Sequence, residues 1–330
     1  MRHWKQRMSG ILLLGAIGVS GCGSAEGVSY IPNFDRNQVP SVTTAANRIQ
    51  TADTLAGAAE YLCIPNRASV RENTTDPVVL LYRVDEPFVL CEADSLKRIY
   101  PASVTKLLTA YVAIKYGNLD DTVRISYKAS HLNINGAMVC GFYEGDTLSL
   151  KNLLTAMLLF SGNDAAIAVA EHISGSTAAF SELMNQVIQR LGGMHSNFVN
   201  PHGLHDPNHY TTAYDMYLVL NEMLQNEDIL SILRQASCTI YYKDASGVQK
   251  SKVFQNTNCF LTKERELPDG IAILGGKTGT TTAAGCCLVQ AFVTKNGKRY
   301  IAEVFGAKDY DLLYEKMTEL LKQALEDDSI

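Results

Sequence analysis

Strand-like segments lie at both ends of the folded part of this chain, and helical segments fill its middle. Residues 78–84 read V-V-L-L-Y-R-V, a strand by their β-branched and aromatic content. Residues 88–92 are the expected partner, after the Asp85-Glu86-Pro87 turn. Residues 238–242, 271–277, 287–294 and 299–305 read as further strands, the last two joined by a Lys295-Asn296-Gly297-Lys298 hairpin turn. Between these ends, Pro101 and Ala102 open a helix running to Tyr116 and closed by Gly117. Further helical stretches cover 150–160, 164–174 and 177–191, the last stopped by Gly192-Gly193, and then Thr212 to Gln225. Residues 194–211 are loop-like, with Pro201, Gly203 and Pro207. An amphipathic helix spans Asp309 to about Leu325. This order predicts an α+β fold: one antiparallel sheet assembled from distant segments, flanked by helices, with a mostly helical subdomain inserted. A chain of 330 residues, 46% of them hydrophobic, is long enough to bury a substantial core.

Ahead of the folded part lies a targeting signal. Arg2, Lys5 and Arg7 form a positive n-region, and residues 11–19 are an apolar stretch too short to span a bilayer comfortably. Val19-Ser20-Gly21-Cys22 resembles a bacterial lipobox, in which cleavage precedes the cysteine and its thiol is lipidated. Ordinary signal cleavage beside these small residues, with Cys22 a bystander, is the alternative. The expected division is a lipoprotein signal peptide over 1–21, a lipid anchor and flexible tether over 22–46, and the folded domain over 47–330, opening with a helical stretch at 48–63. Acyl chains on Cys22 would hold the exported protein to the outer face of the bacterial cytoplasmic membrane. A net charge of −5, with no basic run after the N-terminus, argues against a nucleic-acid partner. Seven cysteines remain: Cys63, Cys91, Cys140, Cys238, Cys259, Cys286 and Cys287. An exported protein can form disulfides, but their pairing is not readable from sequence. Cys287 is expected to open a strand as a small buried side chain.

Three short motifs carry chemistry, and they occur in one order. In Ser103-Val104-Thr105-Lys106, positions i and i+3 share a helix face. A serine hydroxyl needs a base, and a lysine serves if burial or a neighbouring cation strips its proton. Leu107, Leu108 and Ala110 would help dry that site. Ser103 also lies near a helix N-terminus, where free N–H groups favour an oxyanion. Ser161-Gly162-Asn163 falls between two helical stretches. Ser161 suits a proton relay, and Asn163 suits a hydrogen bond to Lys106 and a substrate amide; either residue equally suits capping the helix that begins near Asp164. Lys277-Thr278-Gly279 ends a strand behind Gly275-Gly276, whose missing side chains would let a ligand backbone approach. Lys277 and Thr278 would hold a carboxylate, and the N–H of Thr280 would join that of Ser103 in an oxyanion hole. Together the motifs point to serine acyl transfer on a substrate bearing a carboxylate near the scissile amide.

These motifs resemble those of the penicillin-binding protein and serine β-lactamase superfamily, and most of all its low-molecular-mass serine D-alanyl-D-alanine carboxypeptidases. The resemblance covers roughly residues 50–325. It rests on 101–106 (P-A-S-V-T-K), 161–166 (S-G-N-D-A-A), 200–204 (N-P-H-G-L), 210–213 (Y-T-T-A) and 276–280 (G-K-T-G-T) followed by Ala284-Gly285. It implies a β-lactamase/transpeptidase-like fold with 47–330 as a serine DD-peptidase domain. Ser103 would be the acylated nucleophile, Lys106 its base, Ser161 and Asn163 the shuttle and positioning pair, and Lys277, Thr278, Gly279 and Thr280 the substrate site. The implied substrate is the D-Ala-D-Ala end of a peptidoglycan stem peptide, with β-lactams as inhibitors and no cofactor. Many relatives carry a further β-rich domain and an amphipathic membrane helix; here the lipid at Cys22 is expected to replace that anchor. Some relatives have histidine where this chain has Thr280. A class A β-lactamase would add a glutamate to activate the deacylating water, and residues 194–211 hold none. A cross-link endopeptidase would use the same residues, and a non-catalytic cell-wall or β-lactam sensor would keep the pocket. His202, His205 and His209 cluster in one loop, but Pro201, Gly203 and Pro207 preclude a helical H-x-x-H arrangement, and no metal is expected.

Overall fold

The computed structural model describes residues 77–132, 134 and 136–329. The expected signal peptide 1–21, Cys22, the tether 22–46, the helical stretch 48–63 and Cys63 lie outside the described residues. The first elements are a hairpin of β1 (Val78–Arg83) and β2 (Phe88–Ala93). A 3-10 turn, Ala102–Val104, leads directly into α1 (Thr105–Tyr116). Short elements follow: β3 (Thr122–Arg124), α2 (Tyr127–Ser130) and β4 (Thr147–Ser149). The helical block is α3 (Leu150–Leu159), α4 (Asn163–Ser174), α5 (Thr177–Arg190), α6 (Ala213–Met223) and α7 (Glu227–Leu233). Then come β5 (Ser237–Lys243), β6 (Gln249–Gln255), the short α8 (Cys259–Thr262), β7 (Ile271–Thr281), β8 (Gly285–Thr294), β9 (Arg299–Ala307) and α9 (Tyr310–Asp328).

The two ends of the described part, 78–93 and 271–307, meet in an antiparallel five-stranded sheet of order β2-β1-β9-β8-β7, as the strand pattern predicts. Its side chains alternate between two apolar layers, as the period-2 geometry of a strand requires. Leu80, Tyr82, Val289 and Ile301 join the cluster formed with the helical block. Leu81, Leu288, Phe292, Ala302 and Val304 face the other way, against Leu313, Met317, Leu320, Leu321 and Ala324 of α9. Those α9 positions recur at three- and four-residue spacing, so one helix covers that face of the sheet. The far end of α9 is tied down by Asp327, whose carboxylate accepts from Arg83 (3.2 Å) and from the Tyr300 hydroxyl (2.8 Å).

Two expectations are corrected. The segment 238–242 does not join the main sheet; it lies in a separate four-stranded sheet of order β3-β4-β5-β6. Its partner β6 (QKSKVFQ) escaped notice because only Phe254 is buried, so the alternation that marks a strand is faint. The K-T-G motif does not end its strand: β7 runs on to Thr281, paired throughout with β8. The helix α7 was also missed, a seven-residue element started by the Asn226 side chain, which accepts from the Ile229 N–H.

Candidate active site

Ser103, Lys106 and the groups that support them come from three separate parts of the chain. The helix α1 is central, with Thr105 to Ala110 all buried, so a lysine in its first turn has no route to water. Lys106 is 0% exposed. An unpaired buried ammonium is costly, and the fold answers with three acceptors. Lys106 Nζ lies 2.9 Å from Ser103 Oγ, 2.7 Å from Asn163 Oδ1 and 2.6 Å from the His202 carbonyl oxygen. Desolvation, and then the charge of Lys277, hold its pKa well below that of an ordinary lysine, against smaller opposing effects of Cys140 and Asp164. The expected pairing of Ser103 with Lys106 is present, with Ser103 on the 3-10 turn just ahead of α1.

The acceptor geometry decides what a neutral Lys106 does. A neutral amine has two N–H donors and one lone pair. Asn163 Oδ1 and the His202 carbonyl can only accept, so they take the two hydrogens. The lone pair is left facing the Ser103 hydroxyl, where a general base needs it.

The segment carrying Ser161 and Asn163 is fixed by Asp164. Its carboxylate accepts from the N–H groups of Cys140 (2.8 Å), Gly141 (2.9 Å) and Ala165 (2.9 Å), and the Asn163 N–H reaches the Met138 carbonyl (2.8 Å). Neither Ser161 nor Asn163 caps α4: the N-cap is Gly162, with no side-chain hydrogen bond. The capping alternative is thereby removed, and the Asn163 side chain serves Lys106 instead. Ser161 has φ of 69°, a left-handed conformation uncommon for serine and typical of strained functional positions. It is buried, is absent from the hydrogen bonds of Lys106, and makes no side-chain hydrogen bond among the described residues. A side chain at Gly162 is barred, because its Cβ would sit 2.2 Å from Cys140 Sγ.

The loop 197–210 delivers the third acceptor. Asn200 folds it locally, accepting from the Gly203 N–H (2.7 Å) and donating to the Leu204 carbonyl (3.0 Å). The Pro201 carbonyl accepts from Thr109 of α1 (2.6 Å). Gly203, with φ of +85°, presses on the nucleophile turn so closely that a Cβ there would lie 1.8 Å from the Ala102 carbonyl oxygen. His209 Nδ1 accepts from the Val199 N–H (3.1 Å), so its proton is on Nε2 and is donated to Thr105 Oγ1 (2.8 Å). Burial lowers the pKa of His202 to about 3 and that of His209 to about 4, so both rings are neutral struts of the loop.

β7 brings the last motif against the same turn. A Cβ on Gly279 would lie 2.8 Å from the Ser103 nitrogen. Lys277 is 1% exposed, and burial lowers its pKa to about 7. Its Nζ donates to the Thr278 carbonyl (3.0 Å), with Thr257 Oγ1 at 3.5 Å, and Thr257 and Thr278 share a hydroxyl contact of 2.5 Å. The hydroxyl of Thr280 pairs with that of Tyr310 at 3.0 Å. Gly275 and Gly276 serve packing within the protein rather than open space for a ligand. Side chains there would meet Leu233 of α7 at 2.6 Å, and the Val289 carbonyl of β8 at 2.6 Å. Sequence reasoning missed the His202 carbonyl, Thr257, Asp164 and His209. A backbone acceptor has no side-chain signature, although the 200–204 run that presents it was visible.

Cys140, Cys238, Cys259, Cys286 and Cys287 form no disulfide among the described residues. Cys287 is buried in β8 as expected, its thiol pKa pushed up to about 12.

This fold, with a buried lysine amine 2.9 Å from a serine hydroxyl, fits one class: serine acyl-transfer proteins. Within it, the chain belongs to the D-alanyl-D-alanine carboxypeptidase family, whose sequence pattern matches residues 77–309. It is 34% identical over 219 residues to D-alanyl-D-alanine carboxypeptidase DacA of Haemophilus influenzae, covering 65% of this chain and 52% of that protein. It is 36% identical over 249 residues to DacF of Bacillus subtilis, covering 73% and 59% respectively. The chain thus spans a little over half the length of these relatives. Among solved structures, the D-alanyl-D-alanine carboxypeptidase DacD from Francisella tularensis superposes with a TM-score of 0.67 at 26% identity, covering 78% of this chain and 72% of that one. The Streptomyces K15 DD-transpeptidase has the same fold, with a TM-score of 0.71 at 24% identity, covering 78% and 99%.

Proposed function

We propose that this chain is a serine-type D-Ala-D-Ala carboxypeptidase that removes the terminal D-alanine from peptidoglycan stem peptides. The observation that carries the reading is the environment of Lys106: wholly buried, its two possible amine hydrogens claimed by carbonyl acceptors, its remaining valence 2.9 Å from Ser103 Oγ. Ser103 Oγ attacks the penultimate D-Ala carbonyl and passes its proton to Lys106. The N–H groups of Ser103 and Thr280 receive the oxyanion. The C–N bond then breaks as the leaving amine takes a proton relayed through Ser161, releasing D-alanine and leaving an ester on Ser103. Water hydrolyses that ester with Lys106 again as base. Lys277 and Thr278 hold the substrate carboxylate, while Gly279 keeps the strand close to the nucleophile. β-Lactams acylate the same serine. The protein works outside the cytoplasm, and lipid on Cys22 anchors it to the outer face of the cytoplasmic membrane.

The test is D-alanine release by the full chain from a tripeptide ending in D-Ala-D-Ala, beside Ser103→Ala. Release by the wild type alone is expected, together with loss of penicillin labelling in the variant. Equal release by both proteins would remove Ser103 from the reaction. The anchor is tested by Cys22→Ala, which should shift the protein from the membrane to the soluble fraction.

A further inference from the structure

Away from the catalytic cleft, the small sheet opens where β4 and β5 part. These strands pair at one position, Thr147 with Lys243, whereas β5 and β6 pair along their whole length. The opening is a cavity of about 300 Å³, its polar lining supplied by Thr122, Thr147, Ser149, Tyr241, Lys243 and Gln249. Its volume lies at the small end of the range for ligand pockets, about 300–1,000 Å³.

The lining presents hydrogen-bonding groups that face solvent and are not committed to partners within the protein. Thr122, Thr147, Tyr241, Lys243 and Gln249 make no side-chain hydrogen bond or ion pair among the described residues. Ser149 accepts from the Asn152 N–H (3.1 Å) as the cap of α3 and keeps its own proton to give. Asn152 in turn donates to the Tyr241 carbonyl (3.0 Å), which fixes the strand that carries the ring. Tyr241 is 57% exposed although it stands in a strand. Short hydroxyls and an amide supply donors and acceptors together, and an exposed aromatic ring supplies a flat apolar face with negative charge at its centre. No carboxylate lines the cavity, which disfavours a metal ion, and one ammonium is too little for a polyphosphate. The remaining chemistry is that of a neutral, hydroxyl-rich ring whose C–H face stacks on an aromatic.

We propose that this cavity binds a saccharide unit of the glycan strand from which the stem peptide hangs. The inference rests on the peptidoglycan reading given above. The sheet is braced against the catalytic segment: Tyr242 packs edge-on to Phe142 at 5.4 Å, and Lys252 of β6 donates to the carbonyls of Cys140 (3.0 Å) and Gly141. The N–H groups of Cys140 and Gly141 are held by Asp164, next to Asn163. Sugar and peptide are thus gripped by connected parts of one unit, and peptides still attached to glycan are preferred over free ones.

The test is calorimetric or NMR titration of the full chain, carrying Ser103→Ala, with a peptide-free tetramer of N-acetylglucosamine. Saturable binding is expected. Tyr241→Ala and Gln249→Ala should each weaken it about tenfold, the size of a lost aromatic contact for the first and of a lost hydrogen bond for the second, with unchanged unfolding temperature. In the Ser103-intact protein, Tyr241→Ala should leave D-alanine release from a bare tripeptide unchanged and raise KM for a disaccharide-bearing peptide. D-alanine release with no tetramer binding, or binding indifferent to both substitutions, overturns the cavity assignment alone. Tetramer binding without D-alanine release supports the cavity and overturns the carboxypeptidase reading.

Discussion

At the scale of single residues, the proposed mechanism asks opposite things of two buried lysines. In it, Lys106 must be neutral to accept a proton, and Lys277 must be charged to hold a carboxylate. Both pKa values are lowered by burial, and Lys277 lowers that of Lys106 further. In the free enzyme, kcat/KM therefore rises as Lys106 loses its proton and falls through about pH 7 as Lys277 loses its own. A pH–rate profile of D-alanine release checks this; a flat alkaline side to pH 9 would take the charge of Lys277 out of substrate binding. Asn163 is the other informative residue. Asn163→Ala frees one amine hydrogen of Lys106, so the lone pair is no longer directed at Ser103. Acylation by a fluorescent penicillin should slow by about 100-fold or more, the usual weight of a positioned base. An unchanged acylation rate would mean that the His202 carbonyl alone orients the amine.

At the scale of elements, the proposed mechanism needs β7 to lie directly against the turn that carries Ser103. Gly279→Ala would push these apart, because the new Cβ would start 2.8 Å from the Ser103 nitrogen. Displacements of this order cost about 100-fold in rate, so stopped-flow acylation should fall by that amount while far-ultraviolet circular dichroism stays native. An unaltered rate would show that the turn and strand move independently. The main sheet, its long helices and Ser103, Lys106, Asn163 and Lys277 were legible because strong strands, long helices and short motifs carry local signals. The small sheet was not, because β6 buries one side chain and β4 only Leu148. The loop 197–210 was legible as a loop, yet not as the donor of a carbonyl to Lys106. That role depends on where Asn200 and His209 fold the backbone, which only tertiary packing fixes. The same limit explains Gly275 and Gly276, whose missing side chains accommodate α7 and β8, neighbours remote in sequence.

At the scale of the whole molecule, stability carries the mark of Glu303. It lies on the central strand β9, 0% exposed, with both carboxyl oxygens lacking a hydrogen bond among the described residues. Desolvation, with a smaller push from Asp215, raises its pKa well above 4.5. An unfolded glutamate loses its proton near pH 4.5, while the folded one keeps it to higher pH. Across that window the folded state binds more protons, so stability falls as pH rises until the folded pKa is passed. The two buried lysines act with the opposite sign, from about pH 7 for Lys277 upward. Glu303→Gln isolates the acid: its unfolding temperature should exceed the wild type's by about 2–4 °C per kcal/mol gained, with the gap widening from pH 5 to pH 8. A gap constant with pH would mean that Glu303 does not titrate in the native protein. One further property follows from the position of β7, last in the order of the main sheet. An edge strand that offers its backbone to an extended peptide offers it equally to any other extended chain. The K-T-G strand is thus also an edge at which this protein could pair with itself. The nucleophile turn packed over Gly279 and the register shift between Ile273 and Gly275 confine that pairing to a few residues. Substrate specificity and resistance to aggregation are, along this edge, the same design constraint.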